Sequence, residues 1–512
     1  MRASSTRRTW ITLCTGALVG LSGCSGLLER VGDDDSEPTD DDLDGSDVTE
    51  GTDGSDGEEA DGSDGEEADD AEDDVRVGFD LEPLSEHTPN VAVVTATEYP
   101  DGEGVTFEWV VDGETLSQSG PVVIHEFDAA GDHEIVLRVD ADDGTGSHTE
   151  AITVDEVPEP PLPIAGDPVG ELAELERAVI GTAAELEAHA FAMAVGRDGD
   201  LVAHRAFGYR DGDGTEELAL DALFRIASLT KPITRAATAR LVSESHLTWD
   251  SRVFEELDIE PPGDVRDERV YDITIEMCLD HTLGWARDEG LDPLAESRDI
   301  SIDLGLDRPV TTEELVGAVM TTPLEFAPGT DQAYSNIGYC IIGLLIEQES
   351  GMDWDDYVVD RVLEPAGIDP ADILPGASFP ADRPAREVEY NDDLNECRID
   401  VLDTCDRVAY SDGGYDLEAF LSAAGLVSTA DAYLEFLAAY DISTGEPRAG
   451  PPETMGGHTG EFQYGTATVA YQTEEGIDVV AFFNSAERGL ETHFEPLNEV
   501  VMELDLDDVP AP

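Results

Sequence analysis

Lysine is almost absent from this chain. Of the 27 basic residues among 512, the printed sequence shows one lysine, Lys231, and the rest are arginine. Against them stand 118 aspartates and glutamates, which give a formal net charge of −91 at pH 7. Phosphate contacts need a basic face, so we expect no nucleic-acid partner.

The acidity is not confined to a tail. Between Asp33 and Asp74 lie 23 of the acids, and the remaining 95 (118 − 23) are spread over the other residues. Hydrophobic residues make up 40% of the chain, enough for a normal core. Because halophiles use strong like charge to stay soluble in high salt, we expect a halophilic protein. The alternative is a merely acidic one.

Long apolar runs are also missing. The stretch Leu13–Leu21 is too short to span a bilayer and suits the core of a signal peptide. It follows Arg7-Arg8, as in twin-arginine export, and leads into Leu21-Ser22-Gly23-Cys24, which looks like a lipobox. We predict a signal peptide over residues 1–23 and an exported, cell-surface lipoprotein of haloarchaeal type, held in the membrane by lipid on Cys24. The alternative is an ordinary signal peptide cleaved nearby.

Residues 24–74 form the next segment. They are acidic throughout, and Asp53–Ala60 repeats as Asp61–Ala68. Such a segment cannot bury enough apolar surface to fold, so we predict a disordered, extended tether.

Cysteine is scarce, with six in the chain, two of which lie in the leader and lipobox. Cys278 and Cys340 lie in apolar segments and are predicted to be small buried residues. Cys397 and Cys405 are close together in a polar stretch and are candidates for pairing in an oxidising compartment. Four cysteines allow three pairings, and the sequence does not choose between them.

Residues 75–155 show short alternating runs separated by turns. Thr106–Val111 and Glu134–Val139 are examples, with Asp112-Gly113 as a turn. The pattern predicts a small β-sandwich. Through Phe107-Glu108-Trp109 and Gly131-Asp132-His133 the segment resembles a PKD-type or Ig-like module. Its expected role is that of a spacer, with adhesion as the alternative.

Residues 156–168 are rich in proline and predict a stiff linker, and residues 169–507 form the main domain. Two hairpins are predicted near its ends: Phe191–Val195 with Leu201–Phe207, and Gln463–Tyr471 with Ile477–Phe483. Helical segments fill the interval between them. We therefore predict an α/β (α+β) domain in which both ends of the segment build one antiparallel sheet flanked by helices.

Lys231 follows Ser228 by three residues, just before an alanine-rich helical pattern. This spacing puts the two side chains on one helical face, with Ser228 at or near the helix N-terminus. A serine hydroxyl needs an adjacent base, and a lysine amine becomes one when burial lowers its pKa. Arginine cannot replace it, because guanidinium stays charged. We predict Ser228 as nucleophile and Lys231 as base; an N-cap serine beside a chance lysine is the alternative.

Two further segments carry suitable groups. Tyr334-Ser335-Asn336 precedes an apolar helical run, where a tyrosine can shuttle a proton and an amide can orient a substrate. Gly456-Gly457 introduces His458-Thr459-Gly460-Glu461 just before a strand, whose exposed edge offers backbone N–H groups to a substrate carbonyl. His458 is a candidate donor to the substrate or to Tyr334. Each segment taken alone also fits a loop that merely packs.

Together the three segments resemble the serine β-lactamase and penicillin-binding-protein superfamily, with its Ser-x-x-Lys, Tyr-x-Asn and Lys- or His-Thr-Gly motifs. More closely, the chain resembles the class C β-lactamase-like serine hydrolases. Further matching segments are His281-Thr282-Leu283-Gly284, Phe326-Ala327-Pro328-Gly329 and Gly425-Leu426-Val427-Ser428-Thr429. The resemblance covers about residues 169–504.

The resemblance implies a serine β-lactamase-like fold with an all-helical subdomain, and it implies a role for each residue. Ser228 is acylated, and Lys231 and Tyr334 share the proton transfers. The substrate is bound by Asn336, His458, Thr459, Gly460 and Glu461, with the backbone amides of Ser228 and Glu461 as the oxyanion hole. No metal or cofactor is implied.

The substrate is indicated only broadly. His458 stands where β-lactamases usually carry lysine, which favours an esterase or peptidase, and Glu461 would repel acidic substrates or select an amine-bearing one. We expect small esters, amides or short D-amino-acid peptides as substrates. The alternatives are a true β-lactamase or D,D-carboxypeptidase, and a non-catalytic cell-surface binding protein. The segments Asp288–Pro309 and Pro375–Asp412 are expected to shape the acyl pocket.

Overall fold

The structure, a computed structural model, describes residues 75–504 except 86, 101–103, 142–143, 155–156, 159–160, 287–292, 391–397, 400–406, 463–464 and 486–493. The predicted signal peptide, the lipidation site Cys24 and the tether lie outside the described residues, as do Cys397 and Cys405 and parts of both predicted pocket segments. Cys278 and Cys340 are both buried. Among the described helices, none is both long and apolar enough to cross a membrane.

Two groups of strands are separated along the chain. The strands of the N-terminal module are β1 Gly78–Ser85, β2 Thr88–Glu98, β3 Thr106–Val111, β4 Glu114–Thr115, β5 Val122–Glu126, β6 Gly131–Ala141 and β7 Gly144–Val154. Those of the main domain are β8 Ile164–Ala165, β9 Ala190–Arg197, β10 Asp200–Gly208, β11 Phe224–Arg225, β12 Ile373–Pro375, β13 Arg398–Ile399, β14 Arg407–Val408, β15 Leu426–Ser428, β16 Gly456–Phe462, β17 Thr466–Gln472 and β18 Ile477–Phe483.

The helices of the described residues all belong to the main domain. They are α1 Ala173–Glu185, α2 Thr230–Glu244, α3 Val253–Glu256, α4 Ile275–Leu279, α5 Pro293–Asp303, α6 Thr312–Met320, α7 Ile337–Ser350, α8 Trp354–Val358, α9 Glu364–Ala366, α10 Leu421–Ala424, α11 Ala430–Ala439 and α12 Glu495–Glu503. A π-helical turn, Val359–Leu363, joins α8 to α9, and short 3₁₀ turns include Gly170–Leu172 and Ala227–Leu229.

The N-terminal module is a β-sandwich. One sheet has the strand order β1-β2-β5 and the other β4-β3-β6-β7. Alternate residues of both sheets point into a shared core around the fully buried Trp109, which includes Val94 of β2 and Leu137 of β6. The sandwich predicted for this segment is therefore present.

One antiparallel sheet is built from both ends of the main domain, as predicted, in the order β16-β17-β18-β9-β10-β8. The first predicted hairpin is present as β9 and β10, and its turn residues Asp198 and Gly199 both have positive φ (52° and 91°). This is the conformation that a two-residue hairpin of right-handed twist requires. Helices cover the two faces of the sheet through two separate apolar clusters.

The two faces have different partners. On one face, Ala192 and Phe482 belong to the large cluster that contains α2, α7 and α11. On the other, Phe191 and Val479 pack with α1, α12 and the outer side of the N-terminal module. Ser228 lies on the first of these faces, beside α2.

The N-terminal module is docked onto the main domain. Val91 and Val93 of β2 point away from the sandwich core and join the cluster around α1, whereas Ala92 and Val94 point into the sandwich. A strand that is apolar on both faces is stable only when both faces are packed against other elements. The second face of β2 packs against α1, and the Arg177 Nε–H of that helix donates to the Leu84 carbonyl at 2.6 Å.

The segment 156–168, predicted as a stiff linker, requires a correction at its C-terminal end. Ile164–Ala165 pairs antiparallel with β10 and becomes the edge strand of the main sheet. The sequence pattern did not predict this strand because the pairing involves only two residues, which lie between prolines and a glycine. The prolines lie outside the pairing, where a missing N–H costs no ladder bond.

Candidate active site

Ser228 lies in the 3₁₀ turn that leads into α2 and is 5% exposed. The residue before it, Ala227, has φ +44°, a left-handed conformation that is strained for any residue with a side chain. Two threonine hydroxyls of β17 fix this turn: Thr466 donates to the Arg225 carbonyl at 2.9 Å and Thr468 to the Ile226 carbonyl at 3.1 Å. Ser228 is thus held against the sheet by contacts on its N-terminal side.

Lys231 is fully buried and bonded to three oxygens. Its Nζ lies 3.0 Å from Ser228 Oγ, 2.8 Å from Asn336 Oδ1 and 2.9 Å from the Ala423 carbonyl. In the ammonium form, Lys231 donates one N–H to each of these three acceptors. A neutral amine keeps the amide and carbonyl bonds and turns its lone pair to the serine hydroxyl. One proton can therefore move between Lys231 and Ser228 without any change in the heavy-atom positions.

Tyr334 is the second neighbour of Ser228. Its hydroxyl lies 2.7 Å from Ser228 Oγ, and Lys231 Nζ lies 5.0 Å from the centre of its ring. Tyr334 and Asn336 come from the loop that begins α7, where Gly338 packs so closely on α4 that a Cβ would lie 2.5 Å from the Cys278 carbonyl oxygen. The predicted Ser228, Lys231, Tyr334 and Asn336 thus meet in one cluster.

The third predicted segment is β16, the edge strand of the six-stranded sheet. A Cβ on Gly460 would lie 2.2 Å from the Ile226 carbonyl oxygen and 3.0 Å from the Ser228 nitrogen. Only glycine allows this approach. The strand therefore runs directly against the peptide of Ser228, and Thr459 and Glu461 on either side of Gly460 are buried.

His458 is half-buried on the same strand. Its Nδ1 lies 2.8 Å from the Thr459 carbonyl oxygen, which can only accept, so Nδ1 carries the proton. Burial and the nearby Lys231 lower the pKa of His458 to about 3. The neutral ring therefore presents an unprotonated Nε2, which accepts a hydrogen bond. The expectation that His458 donates to the substrate or Tyr334 does not fit this tautomer.

A buried ion pair braces β11, the strand that precedes Ser228, and sequence reasoning missed it. Arg225 is 1% exposed, and its Nε lies 3.2 Å from Glu387 Oε1. The other two guanidinium nitrogens donate to the Ala377 and Ser411 carbonyls at 2.9 and 2.8 Å. Burial raises the pKa of Glu387, and Arg225 opposes that rise. The pair ties the predicted pocket segment Pro375–Asp412 to β11, just before Ser228.

Two other functional groups were also missed. The Ala423 carbonyl that binds Lys231 has no signal in the sequence, because every residue has a carbonyl. His281 was noted only as part of a matching motif, yet its ring centre lies 4.5 Å from that of Tyr334. Among the described residues, no group of three or more His, Cys, Asp and Glu side chains is placed to hold a metal ion. The absence of a cofactor stays a prediction.

Comparison with known proteins gives one family. The family model described as Beta-lactamase matches residues 175–453, more than half of the chain. Esterase EstB of Burkholderia gladioli is 31% identical over 204 residues, 40% of this chain and 49% of the esterase. Penicillin-binding protein 4 of Amycolatopsis lactamdurans is 32% identical over 197 residues, 36% and 44% of the two chains.

The chain spans about half or less of the length of these curated relatives. Among solved structures, the octameric penicillin-binding protein homologue from Pyrococcus abyssi superposes with a TM-score of 0.48 at 20% identity, over 66% of this chain and 79% of the homologue. D-amino acid amidase from Ochrobactrum anthropi SV3 gives the same TM-score and identity, over 66% of this chain and 99% of the amidase.

Proposed function

Because the chain belongs to the beta-lactamase family, we propose that it is a serine hydrolase that forms an acyl-enzyme on Ser228. One observation carries the proposal. Ser228 Oγ lies 3.0 Å from Lys231 Nζ and 2.7 Å from the Tyr334 hydroxyl, so a base and a proton carrier both contact the nucleophile. A binding scaffold has no need for this arrangement.

In the proposed acylation, Ser228 Oγ attacks the carbonyl carbon of the substrate and gives its proton to the neutral Lys231 amine. The substrate oxygen becomes an oxyanion facing the Ser228 and Glu461 amides. When the intermediate collapses, the bond to the leaving alcohol or amine breaks, and Tyr334 passes that group a proton taken from Lys231. Water then attacks the acyl-enzyme with the same proton path in reverse, which releases the acid and restores Ser228.

The polarity around His458 supports a choice of substrate. A neutral imidazole with an accepting Nε2 offers no charge to a substrate carboxylate, and Glu461 adds an acidic side chain on the same strand. We therefore propose small esters, amides or D-amino-acid peptides that are neutral or bear an amine near the scissile bond. The relative named Esterase EstB agrees with the ester part of this proposal.

A fluorophosphonate probe tests the chemistry on the full chain in molar salt. We expect the wild type and Ser243→Ala, an exposed serine later on α2, to be labelled and to hydrolyse p-nitrophenyl acetate. Ser228→Ala should lose both. Labelling of Ser228→Ala at the wild-type rate would refute the nucleophile, and an inert wild type would support the binding-protein alternative. Turnover of nitrocefin as fast as that of the simple ester would favour a true β-lactamase.

We also propose that the protein is a halophilic lipoprotein exported to the cell surface and anchored through Cys24. The support is the net charge of −91 and the motif Leu21-Ser22-Gly23-Cys24. In a halophilic host, the wild type should partition with membranes and Cys24→Ser should be found in the soluble or secreted fraction. Equal partitioning of the two would contradict the anchor. If the protein is halophilic, it should unfold when the salt concentration is lowered below about 1 M, and a protein that stays folded in low salt would contradict this part of the proposal.

A further inference from the structure

His281 contacts the loop that carries Tyr334 in several ways at once. Its carbonyl accepts from the Ala333 N–H at 2.9 Å. Its Nδ1 lies 3.2 Å from both the N and the O of Ser335. Its ring lies against the Tyr334 ring, with centres 4.5 Å apart and planes inclined by 33°. The three consecutive residues 333–335 are thus all held by one residue.

The hydrogen bond to Ser335 holds in either form of the neutral ring. With the ring proton on Nε2, Nδ1 accepts from the Ser335 N–H; with the proton on Nδ1, it donates to the Ser335 carbonyl. Burial, together with the charge of Lys231, lowers the pKa of His281 to about 3. The ring is therefore uncharged near neutral pH and does not act there as an imidazolium acid.

The backbone of His281 is strained. Its φ is +57°, which is uncommon for a residue with a side chain, and the residue is 5% exposed. Glycine or asparagine would adopt this conformation more easily. A strained conformation persists only when the surrounding contacts fix it, and such positions cluster at active sites.

We propose that His281 is a positioning residue that holds the 333–335 loop, so that the Tyr334 hydroxyl stays within hydrogen-bond distance of Ser228. The proposal rests on the proposed acyl-enzyme chemistry. Tyr334 is half-buried and reaches Ser228 from a loop rather than from a helix, so its placement depends on what supports that loop. His281 supports the ring of Tyr334 and the peptide that follows it.

Three variants of the full chain separate the contacts. His281→Ala removes the imidazole. His281→Gly removes it and also relieves the backbone strain, so this variant keeps the fold even where the alanine variant does not. His281→Asn tolerates positive φ and places an amide oxygen or nitrogen near the position of Nδ1, where it can bond to the Ser335 peptide. His204→Ala, which removes a largely buried histidine from β10, is the matched control.

We expect kcat for p-nitrophenyl acetate to fall about 10- to 100-fold in His281→Ala and His281→Gly, because a misplaced proton carrier slows the chemical step. KM should stay within about 3-fold, since no substrate contact is removed. His281→Asn should recover to within about 5-fold of the wild type, and His204→Ala should match it.

Wild-type kcat in His281→Gly would overturn the proposal, as would a rise in KM with kcat unchanged. A kcat in His281→Asn as low as that of His281→Gly would overturn the assignment to the Ser335 hydrogen bond. Loss of the fold in His281→Gly would reveal a general packing role and would also overturn it. Failure of the proposed function would be seen separately, as labelling and ester turnover that persist in Ser228→Ala.

Discussion

Replacing Gly460 with alanine tests whether β16 has to lie directly against Ser228, the proposed nucleophile. The new Cβ would lie 2.2 Å from the Ile226 carbonyl oxygen, 2.5 Å from Thr468 Oγ1 and 3.0 Å from the Ser228 nitrogen. Ile226 and Ser228 contribute backbone atoms, which cannot rotate away. A carbon–oxygen contact normally lies at about 3.3 Å or more, so the strand and the turn have to separate by about 1 Å.

That separation acts on the proposed oxyanion hole, whose two amides belong to Ser228 and Glu461. The loss of one such donor costs about 10²- to 10³-fold in kcat, and a 1 Å misplacement costs a similar factor. We expect Gly460→Ala to lower kcat about 100-fold, equivalent to about 2.7 kcal/mol. Overpacking should also lower the free energy of unfolding by about 1–3 kcal/mol.

The assay is turnover of p-nitrophenyl acetate together with the rate of fluorophosphonate labelling, each on protein shown to be folded by its thermal transition. Gly181→Ala is the matched control, since a Cβ at Gly181 in α1 meets nothing within 4 Å. The control should keep its kcat and gain up to about 1 kcal/mol of helix stability. A folded Gly460→Ala protein with kcat within about 3-fold of the wild type would refute the reasoning.

Further predictions concern the base, the docked module and pH. Lys231→Arg keeps a cation that cannot lose its proton, so ester turnover should fall about 10²- to 10⁴-fold; near wild-type turnover would contradict a base role. Gly170→Ala would place a Cβ 1.8 Å from the Val122 carbonyl oxygen in the module, so the unfolding midpoint should fall with kcat unchanged. An unchanged midpoint would contradict tight docking. The hydrogen bond to Asp112 raises the pKa of His133, so its contribution to stability is complete below about pH 6.5 and is lost as pH rises through the raised value. The same bond lowers the pKa of Asp112. The contribution of Asp112 to stability is therefore present above about pH 3.8 and is lost as pH falls through the lowered pKa. In thermal melts recorded between pH 5 and 9, His133→Ala should no longer show the fall in unfolding midpoint that the wild type shows as pH rises. The same pH dependence in both proteins would contradict a role for His133 in it.

Local pattern predicted the parts of the fold that depend on near neighbours. The spacing of Ser228 and Lys231 places both on one helical face, and Asp198-Gly199 adopts the positive φ values of a tight hairpin. The antiparallel sheet followed from strands at both ends of the domain. These features depend on backbone preferences and short spacings, which a sequence displays directly.

Contacts between distant segments could not be predicted in this way. His281 and Ser335 are 54 positions apart, and the Lys231 contact with Ala423 spans 192. The docking of the N-terminal module was also missed, because the apolar run through Val91 and Val93 fits a buried strand in an isolated sandwich equally well. Only the folded chain shows that these residues have a second partner.

The burial of Lys231 has a practical consequence for studying the protein. It is the only lysine nitrogen in the sequence, and its side chain is fully buried. Reagents that couple to lysine amines therefore find no lysine on the surface of the folded protein. Isotope labelling of lysine at Nζ alone gives one resonance from 512 residues, and its chemical shift reports the charge of the amine without any substitution.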